Sequence, residues 1–177
     1  SEFSSLIAQA QSVLQRLEQF LPQPVPEVDW KSSIAFRWRK QNNRGALHAV
    51  SQVHRIQLKD LRGIDEQKSL VDQNTRQFVG GHPANNVLLT GARGTGKSSL
   101  VKACLNAYAS RGLRLIEVDK QDMVDLPDIV QVVADRPEKF IVYCDDLSFE
   151  EGEPGYKALK SILDGTVAAT TPTVLIY

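Results

Sequence analysis

The sequence predicts a three-layer α/β fold, in which helices cover both faces of a mainly parallel sheet. Short apolar runs alternate with helical patterns through the last two thirds of the chain, and this alternation is typical of parallel sheets. A glycine-rich turn joins the first of these runs to the helix after it, and two acids directly follow a later run. A chain of 177 residues is long enough to bury one sizeable core.

The N-terminal part of the chain is predicted to hold a helix, a connector and a basic segment. Apolar residues recur at helical spacing over residues 4–21. Three prolines within residues 22–26 should end that helix and form a stiff connector, because proline lacks the amide proton that a helix requires. Residues 1–3 are interpreted as a cloning remnant. A short strand is expected near residues 33–39, and an irregular or strand-like piece at 50–58.

A regular core is predicted from Gly63 onward. A helix should begin with Asp65 as its capping residue, run to about Val79 and end at two glycines. Strands and helices joined by short loops should follow and form a parallel sheet covered on both faces. The predicted strands are residues 87–90, 113–118, 140–144 and 173–177, and the predicted helices are residues 97–110, 126–135 and 155–164.

The turn after the first core strand matches the phosphate-binding pattern GxxxxGK[ST] at every fixed position. Glycines let successive backbone amides point at one anion, and the positive end of the next helix adds to that field. Lys97 should reach the β- and γ-phosphates of a nucleotide, and the Ser98 hydroxyl should bind Mg²⁺. Whether Arg93 contacts phosphate or pairs with an acid is open. The predicted nucleotide-binding residues of the loop are Gly91, Ala92, Arg93, Gly94, Thr95, Gly96, Lys97, Ser98 and Ser99.

Two acids at the end of the third core strand should complete this site. The apolar run of residues 140–144 leads directly into Asp145 and Asp146. Ligands of open α/β sheets bind where parallel strands end. We therefore expect Asp145 to hold Mg²⁺ directly or through water, and Asp146 to orient or deprotonate the attacking water. With Lys97 they form the predicted catalytic set; the alternative for the acidic pair is a solvated loop.

Composition narrows the other functions. Lys and Arg total 21, as do Asp and Glu, so the zero net charge argues against a protein that coats nucleic acid by bulk charge. No apolar stretch approaches the roughly 20 residues that span a bilayer, so no membrane partner is expected. Cys104 and Cys144 lack metal or redox spacing and are interpreted as reduced thiols of a cytoplasmic protein.

Charge is nevertheless unevenly distributed along the chain. Residues 31–62 carry eight bases and one acid, a net charge of +7, whereas residues 114–164 carry 13 acids and six bases, a net charge of −7. Trp30, Phe36 and Trp38 lie among the bases. One interpretation is a surface that grips nucleic-acid phosphates and stacks on bases. The other is a solvated face with the aromatic side chains in the core.

Beyond single motifs, the chain resembles the AAA+ class of P-loop ATPases. More narrowly, it is similar to a bacterial AAA+ family of unassigned biological role, from about residue 30 to the last residue. The matching stretches are residues 63–68, 83–89, 91–100, 115–120, 144–150, 156–160 and 163–165. The resemblance implies adenine binding at Gly63 and Ile64; a plain turn and helix cap is the alternative.

Two departures from the AAA+ pattern affect the expected activity. Most members carry Asp-Glu after the acidic strand, but this chain has Asp145-Asp146. Aspartate is shorter by about 1.5 Å, and misplacements near 1 Å cost about 100-fold in rate, so slow turnover is expected. The chain also stops before the sensor, arginine finger and lid of such a core. An incomplete AAA+ core over residues 63–177, preceded by an N-terminal region over 4–62, should therefore bind ATP·Mg²⁺ weakly and hydrolyse it little.

These features support two hypotheses of different classes. The first is an ATPase that couples ATP binding and hydrolysis to action on an unidentified macromolecule; the full-length protein is expected to oligomerise, as AAA+ relatives do in rings. The second is an ATP-responsive switch or loader that hydrolyses little and is associated with nucleic acid. Phosphoryl transfer to a small acceptor is disfavoured, since no acceptor-binding carboxylate or lid motif is evident.

Overall fold

A five-stranded sheet organises the structure, which is a computed structural model. It describes residues 2–18, 27–41, 44–150, 152–164 and 172–177. The helices are α1 (Glu2–Glu18), α2 (Asp65–Val79), α3 (Lys97–Tyr108), α4 (Leu126–Val133) and α5 (Pro154–Leu163). The strands are β1 (Ala35–Gln41), β2 (Arg44–Ala49), β3 (Leu113–Glu117), β4 (Lys139–Tyr143) and β5 (Val174–Ile176). Short 3₁₀ turns lie at Leu58–Asp60, Ala109–Arg111 and Lys120–Asp125.

The strand order across the sheet is β2-β1-β3-β4-β5. β1 pairs with β2 in antiparallel fashion, as an edge hairpin. The other three pairings, β1 with β3, β3 with β4 and β4 with β5, are parallel. In register, Leu115 lies between Ala35 on one side and Ile141 on the other. The predicted α/β class with a mainly parallel sheet is confirmed, and the basic N-terminal segment contributes two of its strands.

Alternating side chains of the central strands build two apolar layers. Leu115 and Ile141 face α2 and α3, whereas Ile116 and Val142 face α4 and α5. All four side chains are fully or almost fully buried, and each such burial contributes about 1.5–3 kcal/mol. The sheet is therefore the middle of three layers. Among the described helices, none is long and apolar enough to cross a membrane.

The segment predicted as the first core strand, residues 87–90, is extended but is not a strand. The Val87 amide donates to the Ile176 carbonyl of β5 at 2.9 Å. The next bond of a regular ladder is replaced, because the Ile176 amide donates to the side-chain oxygen of Asn86, also at 2.9 Å. One backbone bond does not make a ladder, so the strand prediction is wrong although the segment runs beside β5.

Several other boundaries also differ from the prediction. The second strand of the hairpin, β2, was not predicted, and residues 50–57 take the irregular one of the two conformations expected there. Asp65 does not cap α2; it is the first helical residue, and its carboxylate accepts from Lys68 Nζ at 2.8 Å. Helix α1 begins at Glu2 and is described to Glu18; residues 19–21 of the predicted helix and the proline-rich connector lie outside the described residues.

The edge hairpin is anchored by Trp38. Its ring is buried, and the indole Nε1 donates to the carboxylate of Asp125 at 3.0 Å. The ring covers Gly45 so closely that a methyl group placed there would lie 1.8 Å from ring atom Cζ2. A side chain at position 45 therefore displaces the indole from its hydrogen bond.

We predict that Gly45→Ala lowers the free energy of unfolding by about 1–3 kcal/mol, the usual cost of overpacking. Urea denaturation followed by far-UV circular dichroism measures it. Ala46→Ser, on the other face of the same strand, is the control and should change stability by less than about 0.5 kcal/mol. Equal stability of Gly45→Ala and the wild type would contradict the packing described.

Candidate nucleotide-binding site

The glycine-rich loop adopts a backbone that non-glycine residues rarely reach. Gly91, Gly94 and Gly96 have φ angles of 142°, 82° and 91°. A methyl group on Gly94 would meet nothing within 4 Å, so this part of the loop is open toward solvent. The Thr95 hydroxyl donates to the Ala92 carbonyl at 2.8 Å and closes the loop on itself. The loop is thus a compact turn with an accessible concave side.

Helix α3 begins directly at the end of this loop. Gly96, its N-cap residue, has no side chain with which to cap the helix, and its carbonyl accepts from Leu100 at 2.8 Å. The helix is held rigidly, because Val101, Cys104 and Leu105 are completely buried. Its first turn therefore presents backbone amides and a positive dipole end at a fixed position, which is suited to an anion.

Lys97 lies folded over the loop. Its ammonium donates to the carbonyls of Gly91 at 2.8 Å and of Ala92 at 2.9 Å. These are neutral acceptors, and an anion in the loop would compete strongly for the same ammonium because charge-assisted hydrogen bonds are stronger. The geometry places the cation where the sequence predicts a phosphate contact.

The two acids face this loop across a cleft of about 330 Å³. Asp145 and Asp146 are exposed, and Lys97 and Ser98 line the same cleft. Arg93 also lines it, but within the described part of the chain it forms no ion pair with an acid. The structure thus brings together the catalytic and metal-binding residues that the sequence predicts; their roles remain predictions.

Asp146 has an unusual backbone conformation. Its φ is 52°, and no other non-glycine residue among those described has a positive φ. Its amide donates to Oδ1 of Asp145 at 3.1 Å. Aspartate and asparagine tolerate the left-handed region better than other side chains. The second acid therefore ends the extended chain in a sharp turn, and this conformation is easier for aspartate than for glutamate.

Tyr143 is a site residue that the sequence analysis missed. It is the last residue of β4 and is buried, and its hydroxyl interacts with both Asp145 and Ser98. Burial, followed by the negative charge of Asp145, raises the pKa of Tyr143, so the phenol stays neutral. The neutral phenol can therefore interact with both predicted metal ligands, Ser98 and Asp145. The only sequence signal was a tyrosine near the end of an otherwise apolar run.

The residues predicted to contact adenine lie at the start of α2. Gly63 has a φ of 75°, and Ile64 is the N-cap residue of α2. The Ile64 Cδ1 atom lies 3.8 Å from where a methyl group on Gly96 would stand. The structure therefore places Ile64 beside the glycine-rich loop.

The oxygen donors of the cleft fit Mg²⁺ rather than a softer metal. Ser98 supplies a hydroxyl and Asp145 a carboxylate. Among the described residues, no group of three or more His, Cys, Asp and Glu side chains is placed to hold a metal by itself. Magnesium keeps several waters and is bound through one or two carboxylates together with substrate phosphates, so two protein ligands are sufficient.

Comparison with known proteins finds two similarities. The sequence profile of a family described as "Protein of unknown function (DUF815)" matches residues 31–177. The chain is also similar to an ATP-dependent zinc metalloprotease FtsH of Rhodothermus marinus, with 33% identity over 92 residues. That alignment covers 48% of this chain and 13% of the relative, so the chain spans a small part of the relative's length. These similarities relate the chain to AAA+ proteins.

The backbone of Asp146 yields a stability prediction. Asp146→Ala should lower the free energy of unfolding by about 1 kcal/mol, because a positive φ is less favourable for alanine than for aspartate. Asp146→Asn should stay within about 0.5 kcal/mol of the wild type. The control is Asp119→Ala, since Asp119 is an exposed aspartate after β3 with an ordinary φ of −71°. Thermal denaturation measures all three; an Asp146→Ala protein as stable as Asp146→Asn would contradict the assignment.

Proposed function

The chain belongs to the DUF815 family, and we propose that it binds ATP·Mg²⁺ as an AAA+-type ATPase that acts on a macromolecular partner. The observation that carries this proposal is the meeting of Lys97, Ser98 and Asp145 at one cleft, beneath a loop of left-handed glycines. The similarity to an ATP-dependent protein supports it over part of the chain.

In this proposal the loop binds the phosphates of ATP. The amides at the start of α3 donate to phosphate oxygens, and the concave side opened by Gly94 leaves room for them. The Lys97 ammonium exchanges its two carbonyl acceptors for the β- and γ-phosphates. Ile64, beside Gly96, contacts the base. The loop and the N-terminus of α2 thus hold the two ends of one nucleotide.

The acidic side of the cleft is proposed to carry metal binding and hydrolysis. Ser98 and Asp145 would hold Mg²⁺, which neutralises charge on the phosphates when it is bound. Tyr143, whose hydroxyl interacts with both residues, would help to keep them in place. Asp146 orients the attacking water and accepts its proton.

A second candidate function is an ATP-responsive switch that hydrolyses little. The observation that favours it is the short carboxylate of Asp146 on a backbone with a φ of 52°. A reach shorter by about 1.5 Å than that of glutamate displaces a water-orienting group enough to slow hydrolysis strongly. Binding does not depend on this group, so the switch would still respond to ATP.

Nucleotide binding by the purified chain tests the proposal. We predict that Lys97→Ala weakens binding of a fluorescent ATP analogue with Mg²⁺ about tenfold or more, because a charge-assisted contact to phosphate is lost. The control is Lys102→Ala, which removes a lysine of the same helix outside the loop. A wild-type chain that binds no nucleotide would refute the proposal.

The same preparation separates the two candidates. Asp146→Asn should bind the analogue as the wild type does and should lose steady-state phosphate release. Turnover that is present in the wild type, is stimulated by a cell extract and falls in this variant supports the ATPase. Normal binding with no turnover under any of these conditions supports the switch.

The charge distribution favours nucleic acid as the partner. The aromatic side chains of this region, however, are not free to stack on nucleobases. Phe36 and Trp38 are buried, and Trp30 packs at 4.9 Å from the Phe36 ring and 5.2 Å from that of Phe140. Two bases of this segment pair internally. The other six bases of residues 31–62 form no ion pair within the described part of the chain: Lys31, Arg39, Arg44, Arg55, Lys59 and Arg62. We propose that they contact phosphates without reading sequence.

This proposal makes a salt-dependent prediction. Each phosphate contact contributes about 0.9 to the slope of log affinity against log salt for duplex DNA. Removing Arg39 and Arg44 together by alanine should therefore reduce that slope by about 2. Lys160→Ala, an exposed base of α5, should leave the slope unchanged. Fluorescence anisotropy measures it, and a wild-type chain without salt-dependent binding to duplex or single-stranded DNA would refute it.

A further inference from the structure

Helix α1 carries an apolar stripe that the rest of the described structure leaves uncovered. Every side chain from residue 3 to residue 17 is exposed. Leu6 is 66% exposed, Leu14 60% and Val13 55%. Large apolar side chains grouped on one face mark an interaction surface. The α1 stripe consists of Leu6, Ile7, Ala10, Val13, Leu14 and Leu17.

The spacing within the α1 stripe is that of a helix that pairs with another helix. Four of its residues, Ile7, Ala10, Leu14 and Leu17, are separated by three, four and three positions. This is the seven-residue repeat whose apolar seam faces a partner helix. Leu6 and Val13 lie beside the seam and widen it. Helices gain most of their stability from packing of such a face, so an uncovered α1 lacks its main source of stability.

The charges of α1 indicate what covers the stripe. Arg16 is the only charged residue from position 3 to position 17. Helices that lie on membranes carry several Lys and Arg residues on the polar face, and α1 does not. A strongly charged partner would find no counter-charge there. Two copies of α1 would have almost no like-charge repulsion across the seam, so α1 can pair with a second copy of the same helix.

We propose that α1 pairs with α1 of a second copy of this chain through the stripe. Covering the stripe between two copies would remove on the order of 1,000 Å² from water, the lower end of what specific interfaces bury. The association should therefore be weak and concentration-dependent. This inference goes beyond the proposed function and does not rest on it, since no residue of the stripe lines the nucleotide cleft.

Sedimentation equilibrium of the full chain tests the pairing. The wild type should associate across the micromolar range, and its ellipticity at 222 nm should rise in step. Leu14→Glu places a carboxylate in the seam and should weaken association about tenfold or more, because an unpaired buried charge is costly. Ser12→Glu, on the opposite face, is the matched control and should associate as the wild type does. Thermal denaturation should show the same core stability in all three.

Two results would overturn the pairing. One is a wild-type chain that stays monomeric at every concentration, including a chain that instead floats with anionic vesicles. The other is association that is equal in Leu14→Glu and the wild type, which would place the contact elsewhere on the molecule. ATP binding measured on the same samples distinguishes this failure from failure of the nucleotide proposal, because the two surfaces share no residue.

Discussion

The candidate site depends on the parallel pairing of β4 with β3 and β5, because that pairing fixes where Asp145 begins. The Tyr143 carbonyl accepts from Val118 at 2.9 Å, and the Val142 carbonyl accepts from Tyr177, also at 2.9 Å. The acids can therefore turn away from the sheet only at its carboxyl edge, beside the glycine loop. Since both neighbouring strands hold β4 there, a loop of exposed acids starts from one of the most constrained points of the core.

Helix α3 provides the matching constraint on the other side of the cleft. Its buried face packs on the sheet while its first turn reaches into the loop, so loop geometry is coupled to the core. Burial raises the pKa of the Cys104 thiol to about 12, so this side chain stays neutral within the buried face of α3. Cys144, next to the acids, has its pKa raised to about 11 for the same first reason.

The sequence predicted what depends on local pattern and missed what depends on packing. Helix α2, the glycine loop and the position of the acids followed from periodicity and motif spacing. The segment at residues 87–90 did not become a strand, because a side chain of Asn86 took a ladder bond that no apolar pattern reveals. Likewise, spacing cannot show that Tyr143 contacts two predicted ligands, or that Asp146 has a positive φ.

The contrast between a basic N-terminal segment and an acidic later segment has a structural use before any partner is considered. Lys40 donates to Asp125 at 2.7 Å, and Trp38 donates to the other oxygen of the same carboxylate. Asp125 is only 8% exposed, so this charge is tolerated because both its oxygens are bonded. Arg37 of the hairpin also donates to one carboxylate oxygen of Glu117 in β3, at 2.6 Å. Part of the opposite charge therefore attaches the edge hairpin to the core, and only the remaining cations are available to a partner.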